Sequence, residues 1–375
     1  MTVSRRTVLQ SLAAAACAGM APGAAFGAPA ESLKAIAKSK GMRFGNALGY
    51  KPFKDKAMRK LMARECGVIT AENETKWQSL QPQQGKFNFA PADEMFKWAK
   101  SEGLQARGHT LVWQPEKWLP KWVNEFNFGA QPTAAAERLL TEHIVTVCKH
   151  FGTDVYSYDV VNEAIDPADG ELRVNVFTRH MGAIEQIDQS FRLAREHAPH
   201  AQLVYNDYMR GDGGSAKHRA GVLKLLAELK KRGTPVQALG LQSHIGSWDE
   251  SDITGGKQMT EWRKFLDEAT GMGLDLLITE FDVNDRKLPA DIAKRDAGVA
   301  ALAKDYLDIT LSYPQMKDFV LWGMADHVSW LQTWDEAPRT DKLPMRPTPY
   351  DANYKAKPLR EAMAAAFKAM PQRTA

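Results

Sequence analysis

The feature that most limits the fold of this chain is a strict alternation of short apolar stretches with amphipathic helical ones. From residue 42 onward the apolar stretches read MRFGNALG, CGVITAEN, LQARGHTLVW, VYSYDVVNE, AQLVYNDY, ALGLQSHI, LDLLITEFD and DFVLWGMAD. Between them lie helical patterns such as ADEMFKWAKSEG, AAAERLLTEHIVTVCKHFG, IEQIDQSFRLAREHAP, AGVLKLLAELKKRG and AGVAALAKDYLDITLS. Several close on glycine, which tolerates the left-handed turn that ends a helix. Strands that alternate with helices pair in parallel through crossovers, and eight such units predict an α/β fold, a single closed (β/α)8 barrel. No composition shift or Ser/Pro/Gly-rich linker divides residues 31–375, so one domain is expected there.

Residues 1–30 stand apart. Arg5 and Arg6 precede an uncharged, alanine-rich run from Thr7 to Ala30 that ends in glycine, proline and alanine. This is the pattern of a twin-arginine-type signal peptide, removed after Ala30 or a few residues earlier. Cys17 follows three alanines rather than the large aliphatic residue a lipid-attachment site needs. The expected product is exported to the periplasm or secreted, and no later stretch is long and apolar enough to span a bilayer. The chain has 49 basic and 45 acidic residues. Loss of Arg5 and Arg6 leaves it nearly neutral, with no electrostatic footprint for nucleic acid. Cys66 and Cys148 sit in apolar contexts, RECGVIT and IVTVCKH, and read as two core thiols rather than a disulfide. A monomer is expected.

In barrels of this kind the chemistry lies at the C-terminal ends of the strands, where polar residues meet the mouth while the apolar residues before them fill the interior. YDVVNEAI delivers Asn162 and Glu163 after the fourth strand, and LDLLITEFDV delivers Glu280 and Asp282 after the seventh. The same rule marks Glu72, Asn73 and Lys76 after the second strand, His109 and Trp113 on the third, Asn206 and Asp207 after the fifth, Gln242 and His244 after the sixth, and Trp322 after the eighth. Each alone is explained as a helix cap, a solvated acid or a core indole. Their convergence on one rim is not.

Two glutamates across a barrel mouth suit cleavage of a glycosidic bond, one protonating the departing oxygen and the other stabilising or attacking the anomeric carbon. No metal or cofactor is needed. His109, His244, Glu163 and Glu280 form no short ligand motif such as HExxH, and no GxSxG nucleophile elbow occurs. Tryptophans expected at the rim, Trp77, Trp113, Trp322 and Trp330, would offer flat apolar surfaces for sugar rings.

Seven stretches, in order, carry a resemblance: TAENETKWQSLQPQQGKFNF (70–89), RGHTLVW (107–113), YDVVNEAI (158–165), YNDY (205–208), GLQSH (240–244), ITEFDV (278–283) and LWGMADHVSWL (321–331). The chain resembles glycoside hydrolase family ten, the retaining endo-1,4-β-xylanases, over essentially all of residues 31–370. The resemblance implies xylan and xylo-oligosaccharides as substrates, Glu163 as acid/base and Glu280 as nucleophile. It implies that His244 bonds Glu280 and is held by Asp282, and that Asn162 contacts the 2-hydroxyl of the sugar at the cleavage point. Lys76, His109, Trp113 and Gln242 would line that sugar's subsite, Glu72 and Asn73 would grip the next sugar towards the non-reducing end, and Trp322 and Trp330 would wall the cleft.

Two departures accompany the likeness. After RGHTLVW the family usually shows a His followed shortly by a Gln and a Pro, whereas this chain reads QPEKWLP, with Gln114 directly after Trp113 and two extra residues before Pro120. ENETKW has Thr75 where Met is usual. Both changes fall on the side of the non-reducing sugars, so the second subsite is expected to differ, with Gln114 in the loop above it. Rival readings are a barrel hydrolase for cellulose or mannan, and a non-catalytic sugar-binding barrel. The latter has no use for Glu163 and Glu280 together with Asn162 and the His244–Asp282 pair.

Overall fold

The computed structural model describes residues 31–247, 256–336 and 338–373. The twin-arginine stretch, residues 1–30, lies outside the described residues. From Ser32 onward the chain forms one compact unit.

Among the described residues, nine strands make a closed parallel sheet: β1 (Arg43–Leu48), β2 (Val68–Ala71), β3 (Gln105–Trp113), β4 (Val155–Asn162), β5 (Gln202–Asp207), β6 (Ala238–Leu241), β7 (His244–Gly246), β8 (Asp275–Asn284) and β9 (Met316–Leu321). Each pairs in parallel with its neighbours, β6 pairs directly with β8, and β1 pairs with both β2 and β9, which closes the ring. Eight strands form the barrel, as expected. The ninth arises because the stretch ALGLQSHI breaks at Gln242 and Ser243, the latter in the left-handed region at φ 62°. The short β7 pairs with β8 beyond the break, from His244 opposite Asp282 to Gly246 opposite Asn284.

The longer helices are α1 (Leu33–Ser39), α2 (Lys56–Glu65), α3 (Ala90–Ser101), α4 (Pro132–Phe151), α5 (Ala183–His197), α6 (Ala216–Lys231), α7 (Gly256–Gly271), α8 (Ile292–Thr310) and α9 (Pro358–Ala369). In α4 a proline occupies the first turn, where its missing N–H is no loss. Ala136, Leu140, Ile144, Val147 and Phe151 then recur at helical spacing and are buried. Gly152 ends the helix at φ 48°. Among the described residues no helix is long and apolar enough to cross a membrane.

Alternation along the strands sorts residues between two cores. Leu203 and Tyr205, Leu239 and Leu241, and Leu276 and Ile278 belong to the large core between sheet and helices. Val204, Ala238 and Leu277, their neighbours on the opposite face, form a separate small cluster within the ring. At the base of the barrel, Arg43 Nε donates to Asp318 at 2.6 Å, and the Tyr156 hydroxyl donates to the other oxygen of that carboxylate at 2.6 Å. Cys66 and Cys148 are buried free thiols, and burial pushes Cys148 up to about 12.

α9 packs over the seam between β1 and β9. Phe367 of α9 lies 5.6 Å from the ring of Phe44 on β1 and 5.2 Å from that of Phe319 on β9, and its side chain is wholly buried. The backbone N–H of Arg373 donates to the carbonyl of Lys40 at 2.8 Å. Removing the Phe367 ring leaves a cavity at this seam, and Phe367→Ala should lower stability by about 3–5 kcal/mol. Chemical denaturation followed by tryptophan fluorescence measures this. A loss below about 1 kcal/mol would mean that α9 does not hold β1 to β9.

Candidate active site

Glu163 and Glu280 both open into one cleft of about 780 Å³ at the C-terminal mouth of the barrel. Glu163 is the first residue past β4 and adopts φ 58°, a conformation that costs a non-glycine residue about 1–2 kcal/mol. Three bonds hold it there. Its own N–H donates to the Asn206 carbonyl at 2.9 Å, the next N–H, of Ala164, donates to the Tyr205 hydroxyl at 3.2 Å, and the Gln114 N–H donates to the Asn162 carbonyl at 2.9 Å. Glu280 lies inside β8 rather than after a strand. The β8–β9 ladder shifts register between Ile278 and Phe281, beside it. Such irregularities turn side chains that strict alternation would aim elsewhere. The same device recurs on β3 between His109 and Val112 and on β4 between Asp159 and Val161.

The two carboxylates are held differently. Both oxygens of Glu280 are engaged: Asn206 Nδ2 donates to Oε1 at 2.8 Å, and His244 Nε2 faces Oε2 at 3.3 Å. His244 Nδ1 lies 3.0 Å from Asp282 Oδ1, and the remaining oxygen of Asp282 accepts from the Trp330 indole at 2.7 Å. Burial works against a charge on His244, but the Asp282 carboxylate, then Glu280, push its pKa up to about 10. Burial alone would also raise Glu280, yet the imidazoles of His109 and His244 hold it below the ordinary carboxylate range. Glu163 moves the opposite way. Burial raises its pKa, the negative charges of Asp207 and Glu280 add to the effect, and the hydrogen bond from Gln242 Nε2 to Oε1 at 2.9 Å only partly offsets it.

An amide ladder joins the pair. Asn162 Oδ1 accepts from Asn206 Nδ2 at 2.9 Å and from Gln242 Nε2 at 3.3 Å, so each of these amides touches Asn162 and one glutamate. Asn206 also accepts at Oδ1 from Thr279 at 2.6 Å, reaching from β5 to β8 across the intervening β6. The crossing is possible because the β6 residue between them is Gly240. A Cβ there would lie 2.3 Å from Asn206 Oδ1 and 3.1 Å from Thr279 Cγ2.

The other expected residues gather with two exceptions, Trp77 and Gln114. Glu72, Asn73, Lys76, His109, Trp113, Gln242, His244, Trp322 and Trp330 all line the cleft. Lys76 donates to Asn73 Oδ1 at 2.8 Å and sits 4.7 Å from the centroid of the Trp113 ring. Trp77 does not belong. It is buried, stacked on His143 at 3.8 Å with its indole N–H on Gln81, because it begins a helical turn directed under the loop and into the core. Gln114 is likewise not above the cleft. Its side chain is buried and bonded to Gln186 and Asn175. Lys117 and Trp118, from the same segment, reach the cleft instead. Thr75 is buried, and its hydroxyl bonds the His109 carbonyl.

Asp207 was expected at the rim, whereas Asp159, Arg107 and His218 were not singled out. Asp159 pairs with Arg107 and accepts from His109 Nδ1 at 2.8 Å, which orients the imidazole beside Glu280. Asp207 lies under Glu163 and accepts from His218 at 2.9 Å and from the Tyr205 hydroxyl. A signal for Asp159 was present, since an acid in the middle of an apolar strand needs a buried partner, and RGHTL supplies one. Nothing in the helical stretch containing His218 distinguishes it from a surface residue.

Residues 32–366 match the family described as Glycosyl hydrolase family 10. The chain belongs to glycosyl hydrolase family 10. It is 30% identical over 311 residues to endo-1,4-beta-xylanase A of Caldicellulosiruptor saccharolyticus, covering 80% of this chain and 86% of the relative. A beta-1,4-xylanase of Dictyoglomus thermophilum is 31% identical over 307 residues, covering 79% of this chain and 81% of its own. Among solved structures, native xylanase 10B from Thermotoga maritima superposes with a TM-score of 0.79 at 28% identity, covering 90% of this chain and 98% of that one. Xylanase 10B from Thermotoga petrophila in complex with xylobiose gives the same TM-score and identity, covering 90% and 97%. The closed barrel described above is therefore that of a family 10 glycoside hydrolase.

Within this hydrolase the Gly240 crossing is a sensitive point. Gly240→Ala should push Asn206 off Thr279 and Glu280, lowering stability by about 1–3 kcal/mol and kcat by more than that loss of folded protein explains. Thermal unfolding and turnover measured together decide it. Unchanged kcat would show that Asn206 does not orient Glu280.

Proposed function

We propose that the chain is a retaining endo-1,4-β-xylanase that cleaves internal β-1,4 bonds of xylan by double displacement. The observation that carries this reading is the opposed setting of two carboxylates in one tryptophan-walled cleft. Glu280 is bonded on both oxygens and displaced below the ordinary carboxylate range, while Glu163 is buried beside other negative charge and displaced above it. In the first step Glu280 attacks the anomeric carbon and Glu163 gives its proton to the departing oxygen. In the second, Glu163, now a carboxylate, takes a proton from water, which attacks the same carbon and frees Glu280. A pair acting this way sits about 5–5.5 Å apart and yields a β product.

The surrounding groups fit supporting roles. Asn162, fixed by Asn206 and Gln242, would bond the 2-hydroxyl, and the His244–Asp282 pair would keep Glu280 charged and aimed. Lys76, His109, Trp113 and Gln242 would hold the sugar being cleaved, Glu72 and Asn73 the next one, with Trp322 and Trp330 as walls. The twin-arginine-type stretch supports export, to the periplasm or beyond. Xylan and xylo-oligosaccharides are the proposed substrates, and the family membership and the xylobiose complex of a structural relative support them.

Activity on this scheme needs Glu280 ionised and Glu163 protonated. Since Glu280 is displaced downward and Glu163 upward, the plateau of kcat/KM should extend on both sides of the ordinary glutamate value of about 4.3. Activity should fall on the acid side as Glu280 gains a proton and on the basic side as Glu163 loses one. Asp207→Asn removes a negative charge next to Glu163, so the basic limb should move to lower pH while the acid limb stays. A basic limb that does not move would contradict the part given to Asp207.

The two glutamates separate by leaving group. Glu163→Ala should lose on the order of 10²–10⁴-fold in kcat on xylan, yet still form the covalent intermediate from an activated aryl xylobioside and give a burst of phenol. Azide should speed its turnover and yield a β-glycosyl azide. Glu280→Ala should show no burst on either substrate, and any azide product should be α, from a single inversion. The same azide anomer from both variants would overturn the assignment. Faster initial rates on carboxymethylcellulose or mannan than on xylan would overturn the substrate.

A further inference from the structure

A chain of hydrogen bonds runs from α6 to the peptide that follows Glu163. Tyr205 and Asp207 stand two residues apart on β5 and so share one face of the strand. The Tyr205 hydroxyl donates to Asp207 Oδ2 and accepts from the Ala164 N–H at 3.2 Å. Asp207 Oδ1 accepts from the Tyr208 N–H at 2.8 Å and from Nε2 of His218, in the first turn of α6, at 2.9 Å. A carboxylate only accepts, so His218 carries a proton on Nε2. Tyr205 and Asp207 are wholly buried and His218 is 1% exposed, so bulk water cannot replace a lost donor. The loop beyond Glu163 is tied to the same place. The Arg173 N–H donates to the Ala164 carbonyl at 2.8 Å, the Arg173 guanidinium donates to the Tyr208 hydroxyl at 2.8 Å, and the Tyr208 ring lies edge-on to that of His218 at 4.9 Å.

We propose that His218 is a positioning residue for Glu163, acting through Asp207 and the Tyr205 hydroxyl on the Ala164 N–H. That N–H belongs to the peptide joining Glu163 to Ala164, and Glu163 sits at φ 58°, where a residue with a side chain stays only if its surroundings hold it. The Tyr205 hydroxyl can rotate, and it presents a lone pair to Ala164 while its proton points at Asp207. Asp207 keeps one oxygen turned to Tyr205 because its other oxygen is engaged by His218 and Tyr208. Without the imidazole donor a buried carboxylate is short of a partner, which is costly. It turns towards the donors that remain, the hydroxyl follows, and the peptide after Glu163 loses its anchor. The carboxyl of Glu163 then moves relative to the glycosidic oxygen, and proton transfer depends steeply on that distance. Glu280 is held separately, by Asn206 and His244, so attack on the anomeric carbon is spared. At 1% exposure His218 does not reach a sugar. The inference rests on the xylanase reading above, in which Glu163 is the proton donor.

The test compares phenyl β-xylobioside with 2,4-dinitrophenyl β-xylobioside. The sugar is the same, but the phenolate leaves poorly without a proton whereas the dinitrophenolate needs none. The quantity read is the ratio of kcat/KM, phenyl over dinitrophenyl, which isolates the help given to the leaving group. Glu163→Ala sets its floor. His218→Leu should lower the ratio by roughly three- to thirtyfold, part of the about 10²–10⁴-fold that a general acid supplies. His218→Gln, whose amide nitrogen lies the same number of bonds from Cα as Nε2, should return most of that loss. Tyr205→Phe breaks the chain at its next link and should lower the ratio in the same way, and adding His218→Leu to it should cost nothing more, because the two residues act in series. A loss shared equally by the two glycosides is general structural damage and overturns the proposal, as does a ratio that stays at the wild-type value in His218→Leu. Should Glu163→Ala itself leave the ratio unmoved, the acid/base reading fails instead, so the two failures are distinguishable.

Discussion

Two carboxylates buried in one cleft cannot both be charged without a large penalty, because each loses water and repels the other. Much of the site answers that constraint. One acid is surrounded by donors, with His244 and Asn206 on its oxygens and His109 at 4.0 Å. The other has two amide donors, Gln242 and Asn162, both on the same oxygen, and a second acid nearby. Asp282 and Asp159 act at one remove, each holding an imidazole that faces Glu280. The asymmetry is thus set by residues that need not touch a sugar, and it is built into the strands before any substrate arrives.

The barrel was legible because its signal is repetitive. Eight apolar stretches and the helices between them carry two clean periods, and most strand boundaries fall within two residues of the structure. The positions of Glu163, His244 and the amides followed from one topological rule about strand ends, whereas Glu280 lies inside β8. What the rule could not give was aim. Register shifts on β3, β4 and β8 sit beside His109, Asp159 and Glu280, and a shift of one residue exchanges the two faces of a strand. Trp77 and Gln114 illustrate the same limit. Each follows a strand closely enough to count as rim, yet each turns inward, Trp77 onto His143 and Gln114 onto Asn175 and Gln186. Those partners lie 61 or more residues along the chain, or are brought under the loop by α4 in the case of His143, and no local pattern announces them.

Gly240 shows how a missing side chain can matter as much as a present one. On β6 it leaves the gap through which Asn206 and Thr279 meet, so strands that are not neighbours in the sheet share a hydrogen bond at the level of the two acids. The floor of the site is therefore one connected piece, in which the amide that steadies Glu280 also steadies the Asn162 beside Glu163.

The seam between β1 and β9 has a kinetic consequence. Arg43 to Asn46 pair with Asp318 to Leu321, so the ring joins residues from opposite ends of the domain, and the helix that packs over the join is the last one described. A nascent chain leaving the ribosome can assemble individual strand–helix units but cannot close the circle until nearly all of it has been translated. Until then the open edges of β1 and its growing sheet remain available to wrong partners. Such a topology makes the whole domain the smallest folding unit on which the two glutamates can be brought face to face, and it places the burden of correct assembly on β9 and α9.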